Sequence, residues 1–425
     1  MNVVKTVCCL LLLGLCRNTV SGQHAPLTLE TCYTLARQNY PLIRQYDLIR
    51  RSSGYSVENA GKAYLPQLNI SGQATYQSQT INFGDVIPPL PGVKLPEFSK
   101  DQYRIQAELT QQLYDGGVTK LQKESARANE AMQQEQLEVN LYTLRDRITQ
   151  LYFGVLLMDA QLQQNNLRRA DLQSGADKAQ ASLNNGVAFR SNVDEFKAEI
   201  VNADMTAIEL RTNRKAYMKM LGTFINQPLD DSTRLAYPAE MLPATDIRRP
   251  ELAYYDSQQK ALDVQEKQLS TGYLPKLSAF LQGAYGRPTL NIVNNDFGAW
   301  WMGGLRLSWS LGSLYSLRNN RQLIDINRRN VDISRETFLF NTGLSIQQQH
   351  EDMDKYHALI QQDDDAIGLR AAVLHSARAQ LDNGVITVHE YISKLNAENL
   401  AKQSRILHNI QLLQAQYNYK NTSGN

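Results

Sequence analysis

His350-Glu351-Asp352-Met353-Asp354, followed by His357, is the run of this sequence that most invites a metal. Two histidines four apart on one helical face, with a glutamate between them, would hold zinc and supply a general base. Here the histidines are seven residues apart and the HExxH spacing is missing. The run therefore reads as the solvated face of a helix. There is also no GxxxxGK[ST] phosphate loop, no GxSxG elbow and no context for a cysteine nucleophile. No catalytic residue, metal site or cofactor is expected, and the chain is not read as an enzyme.

Charge excludes a second class. Lys and Arg number 44 against 42 Asp and Glu in 425 residues, a formal charge of +2. A chain so balanced has no basic stripe with which to gather nucleic acid. Residues 1–22 carry Lys5, an apolar run from Val7 to Leu15 and the small residues Ser21 and Gly22, the pattern of a secretory signal peptide. A lipoprotein signal using Cys16 is the alternative, although Leu15 is large for that cleavage. Cys8, Cys9 and Cys16 lie in this segment, which leaves Cys32 alone and no disulfide framework. On the apolar face of a helix, Cys32 is expected to be a core residue.

The elements carry more information than any single motif. Tyr-Leu-Pro opens YLPQLNISGQATY at 64–76 and opens YLPKLSAFLQGAY at 273–285. Asn39-Tyr40-Pro41-Leu42 is answered by Arg248-Arg249-Pro250-Glu251-Leu252, and Asn185-Gly186-Val187 by Asn383-Gly384-Val385. The chain reads as a tandem duplication. Residues 23–245 form the first repeat, with strands over about 65–80 and 100–114 and a helix hairpin over about 118–222. Residues 246–425 form the second, with strands over about 274–288 and 299–312 and a hairpin over about 316–420. The first repeat is longer because of a loop at 80–99 that holds Pro88, Pro89, Pro91 and Pro96.

In each strand the apolar residues alternate strictly with polar ones. Leu68, Ile70, Gly72, Ala74 and Tyr76 oppose Asn69, Ser71, Gln73 and Thr75; Trp301, Gly303, Leu305, Leu307, Trp309 and Leu311 line one side of the last strand. About ten residues per strand suits a tilted transmembrane strand; Trp300, Trp301 and Trp309 sit on or beside one strand and Tyr64, Tyr103 and Tyr273 near other strand ends, as interfacial aromatics do. Four strands cannot close a barrel, and open edges are not tolerated in hydrocarbon. The missing strands must come from further copies of the chain.

The helices read as antiparallel coiled coil. Leu137, Leu141, Leu144, Ile148, Leu151, Val155, Met158 and Leu162 step alternately by four and three, in a proline-free stretch from Gly117 to Gly186. A helix of that length reaches on the order of 100 Å. Val193, Phe196, Ile200, Ala203, Ala207, Leu210, Tyr217 and Leu221 resume the heptad on the returning helix, with Arg214 as a skipped position. Shorter helices over about 28–63 and 246–272 are expected to complete the return and to stop at each Tyr-Leu-Pro.

With the repeats, the paired Tyr-Leu-Pro strand starts, the Gly-Val turns at 186–187 and 384–385, and the segments at Pro41 and Pro250 in this order, the sequence resembles the TolC family of outer-membrane efflux channels. The resemblance covers nearly the whole chain after residue 22. It implies a mainly α fold with β: long antiparallel coiled-coil helices, and four transmembrane strands contributed to a trimeric 12-stranded barrel. It further implies the outer membrane of a Gram-negative bacterium, helices projecting into the periplasm, and work with a periplasmic adaptor (membrane fusion) protein and an inner-membrane pump. Family spacing after the glycine turn puts a gate acid at Glu390, with Ser393 in place of a second one. In the first repeat the comparable position is Asn192, with Asp194 and Glu195 nearby. Gly186, Val187, Gly384 and Val385, at the hairpin tips, are the expected adaptor-docking residues. The rival reading is a secreted or periplasmic coiled-coil scaffold or adaptor without a pore.

Overall fold

The computed structural model describes residues 26–81, 88, 91–92, 98–241, 246–291 and 295–425. The expected signal peptide with Cys8, Cys9 and Cys16, and most of the proline-rich loop, lie outside the described residues. Helices α1 (Leu29–Asn39), α2 (Gln45–Gly61), α3 (Val118–Tyr142), α4 (Leu144–Asn184), α5 (Arg190–Ile225), α6 (Pro250–Thr271), α7 (Leu314–Asp382) and α8 (Val388–Ser423) alternate with strands β1 (Gln67–Tyr76), β2 (Asp101–Tyr114), β3 (Lys276–Arg287) and β4 (Gly298–Ser308). No helix among the described residues is long and apolar enough to cross a membrane. The chain divides into two compact units, and each draws on both sequence repeats.

The first unit takes the residues up to Pro41, Thr143–Ile247 and Leu344–Asn425. Its centre is the two helix hairpins, α4 with α5 and α7 with α8. Near the turns Leu172, Ala176, Val193, Phe196 and Ile200 of the first hairpin form one apolar core with Ala377, Val388, Tyr391, Ile392 and Leu395 of the second. Heptad spacing produces this packing, since a 3.5-residue period keeps one seam of each helix facing its neighbours. Cys32 is wholly buried, and burial pushes its thiol up to about 12. Sequence periodicity leaves out one feature of the unit. Arg214, the skipped heptad position, is buried, and its guanidinium donates to Asp159 Oδ1 on α4 at 2.5 Å and to the Thr233 carbonyl at 3.1 Å.

The second unit takes Leu42–Tyr142 and Arg248–Gly343. It holds α2, α3, α6, the first part of α7 and a four-stranded antiparallel sheet in the order β1-β2-β3-β4. The β2–β3 pairing joins the two repeats. Ladder register puts Ile70, Ala107, Gly283 and Trp301 in one row, and Leu68, Leu109, Leu281 and Gly303 in the next. Directly paired residues share a face, so the apolar alternations of all four strands merge into one apolar surface. That surface is exposed: Ile70 is 68% and Trp301 74% accessible. The opposite face carries Asn69, Glu108 and Gln282, with Ser71 and Gln106 in the adjoining row. Glu108 is paired there with Arg306 at 3.0 Å.

Two expectations are adjusted by local chemistry. The segment read as one helix over 28–63 is split, because the residue before a proline avoids the α conformation. Tyr40, before Pro41, has ψ 131°, and a short 3-10 turn follows over Pro41–Arg44. The long helix after Gly117 is interrupted at Thr143, which keeps helical dihedrals of φ −62° and ψ −15°. That interruption falls at the boundary between the two units.

Candidate functional site

Both hairpin turns lie in the first unit and are built alike. Gly186 has φ +73° and Gly384 φ +69°, which costs a residue with a Cβ roughly 1–2 kcal/mol. In each turn the glycine N–H donates to a carbonyl three residues back, at 3.0 Å, to Leu183 and to Leu381. The following valine N–H donates five residues back, Val187 to Ser182 at 2.9 Å and Val385 to Gln380 at 2.8 Å. This is the Schellman closure of a helix C-terminus, and it satisfies carbonyls that would otherwise be orphaned. A methyl at either glycine would meet no other atom within 4 Å, so dihedral strain alone demands glycine. Val187 and Val385 project into solvent at 78% and 72% exposure.

Beyond the turns the hairpins differ. Thr387 caps α8: its Oγ1 accepts from the Glu390 N–H at 3.2 Å, while Glu390 Oε2 accepts from the Thr387 N–H at 2.9 Å. The hydrogen bonds from Thr387 hold the Glu390 carboxyl below the usual glutamate range. Glu390 is therefore an ionised helix cap in this protomer. At the same place in the first hairpin stands Phe189, exposed and without a capping side chain. Phe189 is not among the tip residues expected from the sequence; with the expected Val187 it extends the exposed apolar surface of the first turn.

Asp194 is exposed and lies 3.8 Å from Arg190. Glu195 Oε1 instead lies 2.7 Å from Nδ1 of His389 and so links the start of α5 to the start of α8. Farther from the turn, Arg168 on α4 donates to Glu199 on α5 at 2.7 Å and to Asn396 on α8 at 3.1 Å. Neither tie has a sequence signal, because their partners lie far apart in the chain. A groove of about 370 Å³ beside the second turn is lined by Val373, Ala377, Gln380, Ile386, Glu390 and Lys394. The His350 run forms no such constellation: His350 faces Asp354 at 3.5 Å, and no group of three or more His, Cys, Asp or Glu side chains converges among the described residues.

Residues 32–233 match the model of the outer membrane efflux protein family. Over that segment, just under half of the chain, the sequence is similar to outer membrane efflux proteins. No curated protein matches the sequence. Solved structures with the same fold include the outer-membrane channel OprN, at 14% identity and TM-score 0.67 over 93% of this chain and 89% of that one. The outer membrane protein VceC of Vibrio cholerae superposes at 12% identity and TM-score 0.64, over 93% and 96% of the two chains. The open state of the Neisseria gonorrhoeae channel MtrE does so at 13% identity and TM-score 0.64, over 93% and 88%. At such identities the likeness is one of fold. The TolC-type fold therefore extends beyond the family match, through the second repeat and its hairpin tip.

Proposed function

We propose that this TolC-type chain is the outer-membrane conduit of a tripartite efflux or export system in a Gram-negative bacterium. The observation that carries the proposal is the sheet: four strands, one continuous exposed apolar face, and β1 and β4 each left with an unpaired edge. In hydrocarbon each unsatisfied backbone group costs several kcal/mol. Three copies joined edge to edge, β4 of one against β1 of the next, remove all the edges and give a twelve-stranded barrel. The apolar face meets lipid, and the face with Asn69, Ser71, Gln106 and Glu108 lines a wet passage. Solutes cross passively, and an inner-membrane pump supplies the energy through a periplasmic adaptor.

In this reading the helices project into the periplasm and the two tips meet the adaptor. Exposed Val187 and Val385, set by Gly186 and Gly384, supply apolar contacts at the two tips. Glu390, Asp194 and Glu195 stand just beyond those turns, and threefold repetition would place a ring of negative charge at the periplasmic mouth. The Glu195–His389 and Arg168–Glu199–Asn396 ties hold the two hairpins together, as a closed entrance requires. The test is fractionation followed by mass measurement of the detergent-extracted particle. A trimer from the outer-membrane pellet supports the conduit; a monomer in the soluble fraction supports a scaffold and overturns it.

A further inference from the structure

At the junction of β2 and α3 the second unit holds a cleft of about 450 Å³. Its floor is rigid. Asp115 is buried, its Oδ1 accepts from the Gly117 N–H at 2.8 Å and from the Tyr64 hydroxyl at 3.0 Å, and its Oδ2 accepts from the Thr119 N–H at 2.6 Å. Burial pushes this carboxyl up, but the hydrogen bonds outweigh it and hold it below the usual aspartate range. Asp115 is thus spent on the backbone. It lines the cleft with both oxygens already engaged by these donors.

Lys120, Lys123 and Arg127 follow at i, i+3 and i+7 on α3, and all three line the cleft together with Tyr64, Tyr114 and Glu124. That spacing stacks them on one helical face. Among the described residues none of the three forms an ion pair, and they outnumber the two carboxylates of the cleft, Glu124 and the backbone-bonded Asp115. Nothing in the helix start demands this. Counting from Gly312 as from Gly116, the second repeat carries Ser316, Asn319 and Leu323 at the same places.

The level of the cleft identifies the ligand class. Tyr64, Tyr114, Tyr273 and Trp309 gather where the strands meet the helices, and the Trp309 indole N–H donates to the Tyr273 carbonyl at 2.9 Å. Tyr76, Tyr103, Tyr285, Phe297 and Trp301 stand at the other strand ends, with Tyr103 and Tyr285 each stacked on Phe297. Eight residues separate Trp301 from Trp309. At ~3.4 Å per residue the two aromatic rows lie ~27 Å apart along the strand, close to the apolar band of a membrane barrel. The cleft therefore opens at headgroup height, beside interfacial tyrosines.

We propose that this cleft holds the phosphate of an anionic phospholipid headgroup from the leaflet at the helix end of the sheet, one per protomer. Lys120 and Lys123 contribute point charges and Arg127 a planar fork, the donors a phosphate accepts. The proposal rests on the transmembrane reading of the sheet. Its test uses full-length detergent-solubilised protein, phosphatidylglycerol as probe, and native mass spectrometry, with channel conductance recorded on the same preparations. One cation near an anionic headgroup changes affinity about fivefold, so the Lys120→Gln/Lys123→Gln/Arg127→Gln variant is expected to lose bound lipid by about tenfold or more. Arg318→Gln/Arg321→Gln, which removes cations from the start of α7 outside the cleft, is expected to stay within about twofold of the unmodified protein. Undiminished lipid on the triple variant, an equal loss from the α7 variant, or displacement by inorganic phosphate alone would each overturn the site. If pores form normally while one of these results is found, only the lipid site fails; absence of pores from the unmodified protein removes the transmembrane reading as well.

Discussion

Two side chains at the scale of single residues decide whether the helical hairpins are sound. Arg214 sits where a coiled coil wants an apolar residue, and its cost is met by Asp159 and the Thr233 carbonyl. Removing one partner of a fully buried pair costs about 3–5 kcal/mol, while the partly exposed Asp159 softens this to about 2 kcal/mol. Arg214→Ala is therefore expected to lower the thermal midpoint of helical circular dichroism, and Arg214→Met with Asp159→Leu to recover most of the loss. An equal loss in both would show that the charge pair is not what matters there. Glu390 titrates in a definite direction. Its folded pKa is depressed by its bonds to Thr387, so the cap is complete above the ordinary glutamate value and is lost as pH falls through the lower folded one. Thr387→Ala is expected to cost about 1 kcal/mol at neutral pH and to flatten the acid limb of a stability-versus-pH curve. An acid limb identical to that of the unmodified protein would remove the cap from the account.

At the scale of elements, the sheet makes a prediction that alternation alone sharpens. Ile70 and Ser71 are neighbours in β1 but face opposite sides of the ladder. Ile70→Arg puts a cation on the apolar face, which in the proposed barrel costs about 2–4 kcal/mol near a membrane midplane. It is expected to deplete the protein from the outer membrane. Ser71→Arg is expected to leave its amount unchanged and to shift ion selectivity toward anions; immunoblots of membrane fractions and reversal potentials check the pair. Equal tolerance of both would contradict a two-sided wall. Period-two alternation makes these strands legible in the sequence, as the heptad does for Leu137 to Val155. What stayed hidden were polar ties between remote segments. Arg214 registered only as a gap in a pattern, and the pairing of Glu195 with His389 left no local trace, because it depends on how two hairpins pack.

For the whole molecule, recurrence explains why so much was visible: the helix stop at Tyr-Leu-Pro and the Gly-Val turn are each written twice along the chain. The repeats are nevertheless unequal where they are exposed. Phe189 stands against Thr387, Asn192 against Glu390, and Lys120 against Ser316. A trimer of such chains has six hairpin positions of two kinds around one axis, so an adaptor that binds there meets alternating surfaces. The central claim is that three incomplete sheets enclose one water-filled passage, and planar-bilayer recording of the purified particle tests it most directly. The account predicts long-lived, discrete conductance steps from a species whose mass is that of three chains. Membranes left sealed by that trimer, or pores formed only by single chains, would contradict it.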